Sequence, residues 1–385
     1  MKLLKIKFTG LPLFNGLGEI DFIANQRVSS ENSNNMDLLF TQNNRNFYSN
    51  KILSFVGINA SGKTTILKVV TFVCKMLNNE ALNNTQYKEI FDGLKDGNEV
   101  DFQIYFYSND SIYFLQTTIE KNEKLVIKKE ILKERRISKI KKKEDLFDID
   151  NFKILMERNN NEAFLLDDVS IMVAFNKKMH EGINYIDMLK FTNVNRLNIS
   201  NDCPVELIAF FDPSIEYIHV KQEEKNTEYS LKFFGKEEIK LNNLSEIDRY
   251  LSSGTIKGIN TFLSAIKTFK IGGYLVIDEL ENHFNHEIVS TLIRFYLDPK
   301  VNQSNATLIF STHYVEILDE FERNDNIYIV RNKNGITLEN LSKILKRNDI
   351  KKSEAYESDF LAGTTPKYDA YMNLKKNIIK GNKGE

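Results

Sequence analysis

Tryptophan is missing altogether, and cysteine nearly so, with two in 385 residues. The first absence says little about function. The second excludes a disulfide-stapled scaffold, and Cys74, inside a helical pattern, reads as a small core residue. Net charge is only −1, so no global field draws the chain to nucleic acid or to a membrane. Any such binding needs a local patch. No apolar run approaches the roughly 18 residues that a membrane span requires. Met1–Phe8 alternates like a strand and does not open like a signal peptide. No internal repeat is present, and no heptad seam persists through residues 133–200, which argues against a long coiled-coil insertion. The expectation is a cytoplasmic protein of one large domain or two modest ones. An apolar content of 42% supplies it with a sizeable core.

Gly57-Ile-Asn-Ala-Ser-Gly-Lys-Thr64 is the most informative string. It completes the pattern of a phosphate-binding loop, in which glycines let the backbone wrap and successive N–H groups converge on an anion. The backbone of Gly57, Asn59, Ala60, Ser61, Gly62 and Thr65 is expected to line the nucleotide. Lys63 is expected to reach the β- and γ-phosphates, and the Thr64 hydroxyl to hold Mg²⁺. The setting agrees. Lys51–Val56 reads as a buried strand, and Thr65–Leu77 as a helix whose N-terminus faces the phosphates.

Three later segments extend the site. Leu251-Ser-Ser-Gly254 precedes a helical stripe of Ile256, Ile259, Leu263 and Ile266. Ser252 and Gly254 there offer a hydroxyl and free N–H groups to an anion, though an ordinary helix cap looks the same. Tyr274-Leu-Val-Ile-Asp-Glu279 is a buried strand that ends on two acids. Asp278 suits the Mg²⁺ shell, and Glu279 suits the orientation and deprotonation of an attacking water. Phe310-Ser-Thr-His313 closes another strand with a histidine able to hydrogen-bond the γ-phosphate, although a strand-end histidine is often structural. His283 and His286 stand three apart without further ligands nearby, so a zinc site is not expected; Asn282–Asn285 reads instead as a subunit contact.

In this order the motifs resemble those of the ATPase heads of the ABC and SMC class: Walker A at Gly57–Thr64, signature at Leu251–Thr255, Walker B at Tyr274–Glu279, D-loop at Asn282–Asn285 and H-switch at His313. Within that class, Asp212-Pro-Ser-Ile215, Ser253–Gly258 and Asp278–Asn282 make the chain most similar to bacterial ATPases of abortive-infection and anti-phage systems, of the RloA and AbiLi kind. The resemblance implies an α/β fold: a P-loop core with an antiparallel β subdomain and an inserted helical lobe. It implies ATP and Mg²⁺ as ligands, hydrolysis to ADP and phosphate, and a head-to-tail dimer of two copies. In that dimer the signature of one copy caps the nucleotide on the other. Two residues depart from the class. Thr255 stands where glutamine is usual and Asn285 where aspartate is usual, which bears on coupling more than on hydrolysis. Gln103 and Gln116 are the candidates for the Q-loop, with no decisive context, and the group that holds adenine is unassigned.

The expected layout places the first part of the core at 1–132, a mainly helical insert with a short β-rich piece at 133–250, the rest of the core at 251–345 and a tail at 346–385. Residues 28–50, rich in Ser and Asn, read as a surface loop. Residues 133–200 are charged and poor in glycine, and read as broadly helical. The stretch after His313 is shorter than the nuclease domain of the related overcoming-lysogenization-defect nucleases, and Asp349, Glu354 and Asp359 are scattered. A separate effector, such as a nuclease or another toxin, is therefore the expected partner. The basic run from Lys128 to Lys143 reads either as a patch for nucleic acid or an acidic partner, or as a solvated connector; its interleaved acids favour the connector. Lys375, Lys376, Lys380 and Lys383 suggest a disordered tail. Three readings follow. The first is a defence ATPase that senses, scaffolds or regulates an effector. The second is a DNA-repair ATPase of the SMC or RecF sort acting on DNA. The third is a transporter subunit, which the insertion and the lack of membrane segments disfavour. Having both Lys63 and Glu279 disfavours a non-enzymatic module.

Overall fold

Ile52–Val56, Tyr274–Ile277 and Thr307–Thr312 are buried at every position, as strands covered on both faces must be. The computed structural model describes residues 1–158, 165–191, 196–199, 201–222, 227–282, 284–347, 350–358, 361 and 368–382. In it these strands form the middle of a six-stranded sheet. Its order is Tyr185–Asp187, Tyr274–Ile277, Thr307–Thr312, Ile52–Val56, Ile327–Asn332 and Ile336–Asn340. All neighbours are parallel except the last pair. Register sets Ile277 level with Phe310, and Phe310 level with Ser54. The residues that follow each strand therefore emerge along one edge, where an open α/β sheet binds its ligands.

A second six-stranded sheet is antiparallel throughout. It runs Gly18–Asp21, Lys2–Thr9, Glu99–Ser108, Ser111–Lys121, Leu125–Arg136 and Lys153–Glu157. The helix Lys63–Leu77 is packed between the sheets, with Ile66, Val69, Val70 and Val73 fully buried in one core. Two tyrosines of the parallel sheet also tie the layers together. The Tyr274 hydroxyl accepts from Leu3 N at 2.7 Å, and that of Tyr328 from Asp21 N at 2.6 Å. The opposite face of the parallel sheet is covered by helices Ser253–Ile271 and His286–Leu297.

The architecture is the expected α/β ATPase head with an antiparallel β subdomain, and residues 133–200 differ from expectation in their local structure. Among the described residues they hold a single α-helix, Met172–Met179. The rest serves the sheets: Leu125–Arg136 runs past the expected boundary at 132/133, Lys153–Glu157 extends the antiparallel sheet, and Tyr185–Asp187 extends the parallel one. Two of the basic residues on Leu125–Arg136 have partners. Lys128 pairs with Glu99 at 2.6 Å and Glu120 at 3.2 Å, and Arg135 is buried against the carbonyls of Asp145 and Lys139. Residues 28–50 also differ, because Met36–Gln42 and Arg45–Asn50 form a hairpin. Its turn is Asn43-Asn44, both at positive φ (49° and 58°), the conformation of a two-residue type I′ turn. Phe40 and Phe47 stack beneath it at 4.6 Å. The lysine-rich tail, expected to be disordered, is a helix over Tyr368–Asn382. His283, Asp349, Asp359 and Lys383 lie outside the described residues.

Glu130 anchors the 133–200 segment. It is 3% exposed, and its carboxylate accepts from Thr117 Oγ1 (2.9 Å), Ser170 Oγ (2.6 Å) and Ile171 N (2.8 Å), with Arg158 Nη2 at 3.6 Å. Burial pushes its carboxyl above the usual range, and these donors oppose the shift. Truncation would leave a buried guanidinium and three donors without their acceptor, so Glu130→Ala is expected to lose about 3 kcal/mol of stability. Urea denaturation followed by circular dichroism checks this; an unchanged midpoint would contradict it.

Candidate nucleotide-binding site

The phosphate loop has the backbone its sequence requires. Gly62 sits at φ 103° and Ala60 at φ 62°, so the chain curls around a concave run of N–H groups. Gly57 admits no side chain, since a Cβ there would lie 2.5 Å from Val330 O and would strike Ser61 Oγ. Lys63 is 6% exposed and folds back over the loop, donating to Gly57 O at 2.8 Å and Ile58 O at 3.2 Å. Burial lowers the pKa of its ammonium, while Glu281, Glu279 and Asp278 favour the charged form.

Asp278 connects the loop to the acids. Its Oδ2 accepts from Thr64 Oγ1 at 2.7 Å, and its Oδ1 accepts from Ser311 Oγ. The two residues expected at the metal thus already touch. A hydroxyl and a carboxylate oxygen meeting at the mouth of the loop form a hard donor set that suits Mg²⁺. Ser311 does a second job: its Oγ accepts from Glu279 N at 2.7 Å. That contact holds Glu279 at φ 47°, a left-handed conformation uncommon for a residue with a side chain and the kind of strain that gathers at functional sites. Ser311 carried no functional assignment in the sequence; its only signal was its place just before His313.

A cleft of about 820 Å³ brings Asn59 through Thr65, Glu279 and His313 together. Its other wall was not anticipated: Pro12, Leu13, Asn332, Asn334, Gly335 and Ile336. Backbone bonds pin this wall, from Ile336 N to Leu13 O at 2.7 Å and from Asn15 N to Ile336 O at 3.0 Å. Asn332 Nδ2 reaches Ala60 O at 3.3 Å. His313 is fixed from behind by Glu281, whose Oε1 lies 2.7 Å from both His313 N and His313 Nδ1. The sequence reading included Glu281 in a subfamily motif without giving it a role.

The signature residues lie elsewhere. Ser252 caps the Ser253–Ile271 helix, its side chain accepting from Thr255 N at 3.1 Å. Neither Ser252 nor Gly254 lines the cleft of its own chain. The buried side of that helix does approach the acids, since Lys257 shares a small cavity with Asp278 and Glu279. Gly258, part of the subfamily motif, is explained by packing, because a Cβ there would collide with the Phe211 ring. Asn285 caps the His286–Leu297 helix by accepting from Ile288 N at 3.0 Å. Gln103 and Gln116 face each other across two strands of the antiparallel sheet and do not line the cleft. Among the described residues no group of three or more His, Cys, Asp and Glu side chains is placed to hold a metal ion by itself. No helix there is long and apolar enough to cross a membrane.

The Gly57 contacts yield a test. Gly57→Ala must displace either Ser61 or the Val330 carbonyl, so ATP affinity is expected to fall by at least about tenfold with the fold intact. Titration with a fluorescent ATP analogue measures it, and wild-type affinity would contradict the assignment.

No curated protein sequence matches the chain significantly. Among solved structures, the SMC head domain from Thermotoga maritima aligns with 88% of this chain and 99% of its own, at 14% identity and a TM-score of 0.41. The family described as "AAA domain, putative AbiEii toxin, Type IV TA system" matches residues 52–319, a span that runs from the phosphate-loop strand past His313. The chain is therefore a member of this family of P-loop AAA-type ATPase domains.

Proposed function

We propose that the protein hydrolyses ATP in a head-to-tail dimer, and that the dimer regulates a separate effector. The observation that carries the reading is the division of the site. The loop, Asp278, Glu279 and His313 share one cleft, while Ser252 and Gly254, exposed or nearly so at a helix N-terminus, lie outside it. A second copy would bring that helix end, with its hydroxyl and N–H groups, to the open side of the γ-phosphate. Lys63 leaves its loop carbonyls for the phosphates. Thr64 and Asp278 would hold Mg²⁺, which would supply neutralisation of the phosphate charge. Glu279, kept in its strained turn by Ser311, orients the water and takes its proton, and His313 contacts the γ-phosphate. Pro12 and Leu13 supply an apolar edge for the base, with the Asn332 and Asn334 amides beside it.

Anti-phage defence is the role we infer, with an effector such as a nuclease or another toxin in a separate protein. The family description, with its toxin–antitoxin assignment, favours it over action on DNA. So does the basic run at 128–143, in which Lys128 is paired with Glu99 at the surface and Arg135 is buried against the Asp145 carbonyl. DNA-stimulated ATPase activity would favour the alternative, a repair ATPase of the SMC or RecF sort. For the hydrolytic reading, Glu279→Gln is expected to bind ATP, to lose at least about 100-fold in kcat and to accumulate as an ATP-dependent dimer. Light scattering with and without ATP, alongside phosphate release, measures both. Hydrolysis at the wild-type rate by Glu279→Gln would refute the assignment.

A further inference from the structure

The chain buries Glu281 almost completely, at 2% exposure, in the turn that follows the acidic strand end. Taking a carboxylate out of water is costly unless donors repay it. Among the described residues both donors belong to one residue: His313 N and His313 Nδ1, each 2.7 Å from Oε1. Among the described residues the other oxygen, Oε2, is buried without a hydrogen-bond partner. So exposed a cost is not what a purely structural carboxylate needs, because a neutral side chain would fill the same space. The same carboxylate comes first among the acids that favour the charged form of Lys63. Glu281 itself does not line the cleft, whereas His313 does.

We propose that Glu281 is a positioning residue of the nucleotide site: it locks the His313 ring with Nδ1 toward the core, so that His313 meets the nucleotide only through Nε2. The proposal rests on the ATPase reading for its catalytic consequence but not for its geometry. A carboxylate can only accept, so Nδ1 must carry a proton. In the neutral ring Nε2 is then a bare acceptor. Phosphate oxygens are acceptors too, so a bond from Nε2 to the γ-phosphate requires the doubly protonated ring. The groups around it are Glu281 behind and Glu279, Lys63 and the incoming phosphates in front. Without Glu281 the ring is free to flip and to adopt the opposite tautomer.

Two measurements test this. The first needs no catalysis: ¹⁵N NMR of the histidine ring nitrogens at alkaline pH, with the His313 signal among the 5 histidines identified by its loss in His313→Ala. The wild type is expected to show His313 as the Nδ1–H tautomer, and Glu281→Ala to lose that preference. A wild-type His313 in the Nε2–H form would overturn the proposal whatever the protein hydrolyses. The second is steady-state ATP hydrolysis. Glu281→Ala and His313→Ala are each expected to lower kcat by about 10- to 100-fold with KM changed less than about threefold. The double variant is expected to be no slower than the worse single one. Glu281→Gln keeps the accepting oxygen and loses the charge, and so guards against a folding failure of the alanine variant. It is expected to keep the Nδ1–H tautomer and more of the wild-type kcat than Glu281→Ala. Losses that multiply in the double variant, or a Glu281→Gln variant no more active than Glu281→Ala, would overturn the proposal. A wild type that binds but does not hydrolyse ATP would instead overturn the ATPase reading and leave the NMR result standing.

Discussion

The Asp278 carboxylate is the fixed point of the site. One oxygen takes the Thr64 hydroxyl from the phosphate loop, and the other takes Ser311 from the strand between. This is possible only because three parallel strands end on one edge, in the order Tyr274–Ile277, Thr307–Thr312, Ile52–Val56. Parallel pairing in turn depends on strands buried on both faces, with the Lys63–Leu77 helix on one side and the Ser253–Ile271 and His286–Leu297 helices on the other. The geometry of the acids thus follows from how the sheet is covered. Ser311 passes the constraint on to Glu279 through its backbone N–H, and Glu281 passes a similar one to His313.

Much of this was legible in the residues. Gly57–Thr64 has a backbone mechanism written into it, and apolar runs such as Tyr274–Ile277 and Thr307–Phe310 could only be covered strands. The cleft joins Lys63, Thr64, Glu279 and His313, which stand up to 250 positions apart in the chain, because strand order and register bring them there. Ser311 and Glu281 were not legible as functional, since a serine inside a strand and a glutamate in a turn have no distinctive local pattern. Their roles exist only once strands are paired. The cleft wall at Pro12, Leu13, Asn332 and Asn334–Ile336 was hidden for the same reason, being joined by backbone bonds between segments far apart in the chain.

Composition misled where charge stood in for structure. Residues 133–200 carry the acids and bases of an exposed helix, yet Leu125–Arg136 is a sheet strand on which Lys128 meets Glu99 and Glu120 of the same sheet and Arg135 meets carbonyls. Polar residues 28–50 looked like a loop because the alternation is short and Leu38-Leu39-Phe40 breaks it, at a register shift in the hairpin. The Asn43-Asn44 pair was the available signal, since asparagine tolerates positive φ better than most residues.

The account stands or falls on the composite site. If the nucleotide on one copy is completed by the signature of another, two defects on different chains should complement each other. Lys63→Ala disables the loop and Gly254→Arg disables the signature, and each protein alone is expected to be inactive. Mixed, they form dimers with one intact site, joining the loop of the Gly254→Arg chain to the signature of the Lys63→Ala chain. The measurement is the ATPase rate of the mixture, predicted to recover up to roughly a quarter of wild type if subunits pair at random. A mixture no more active than its components, made of proteins shown to exchange subunits, would contradict the central claim.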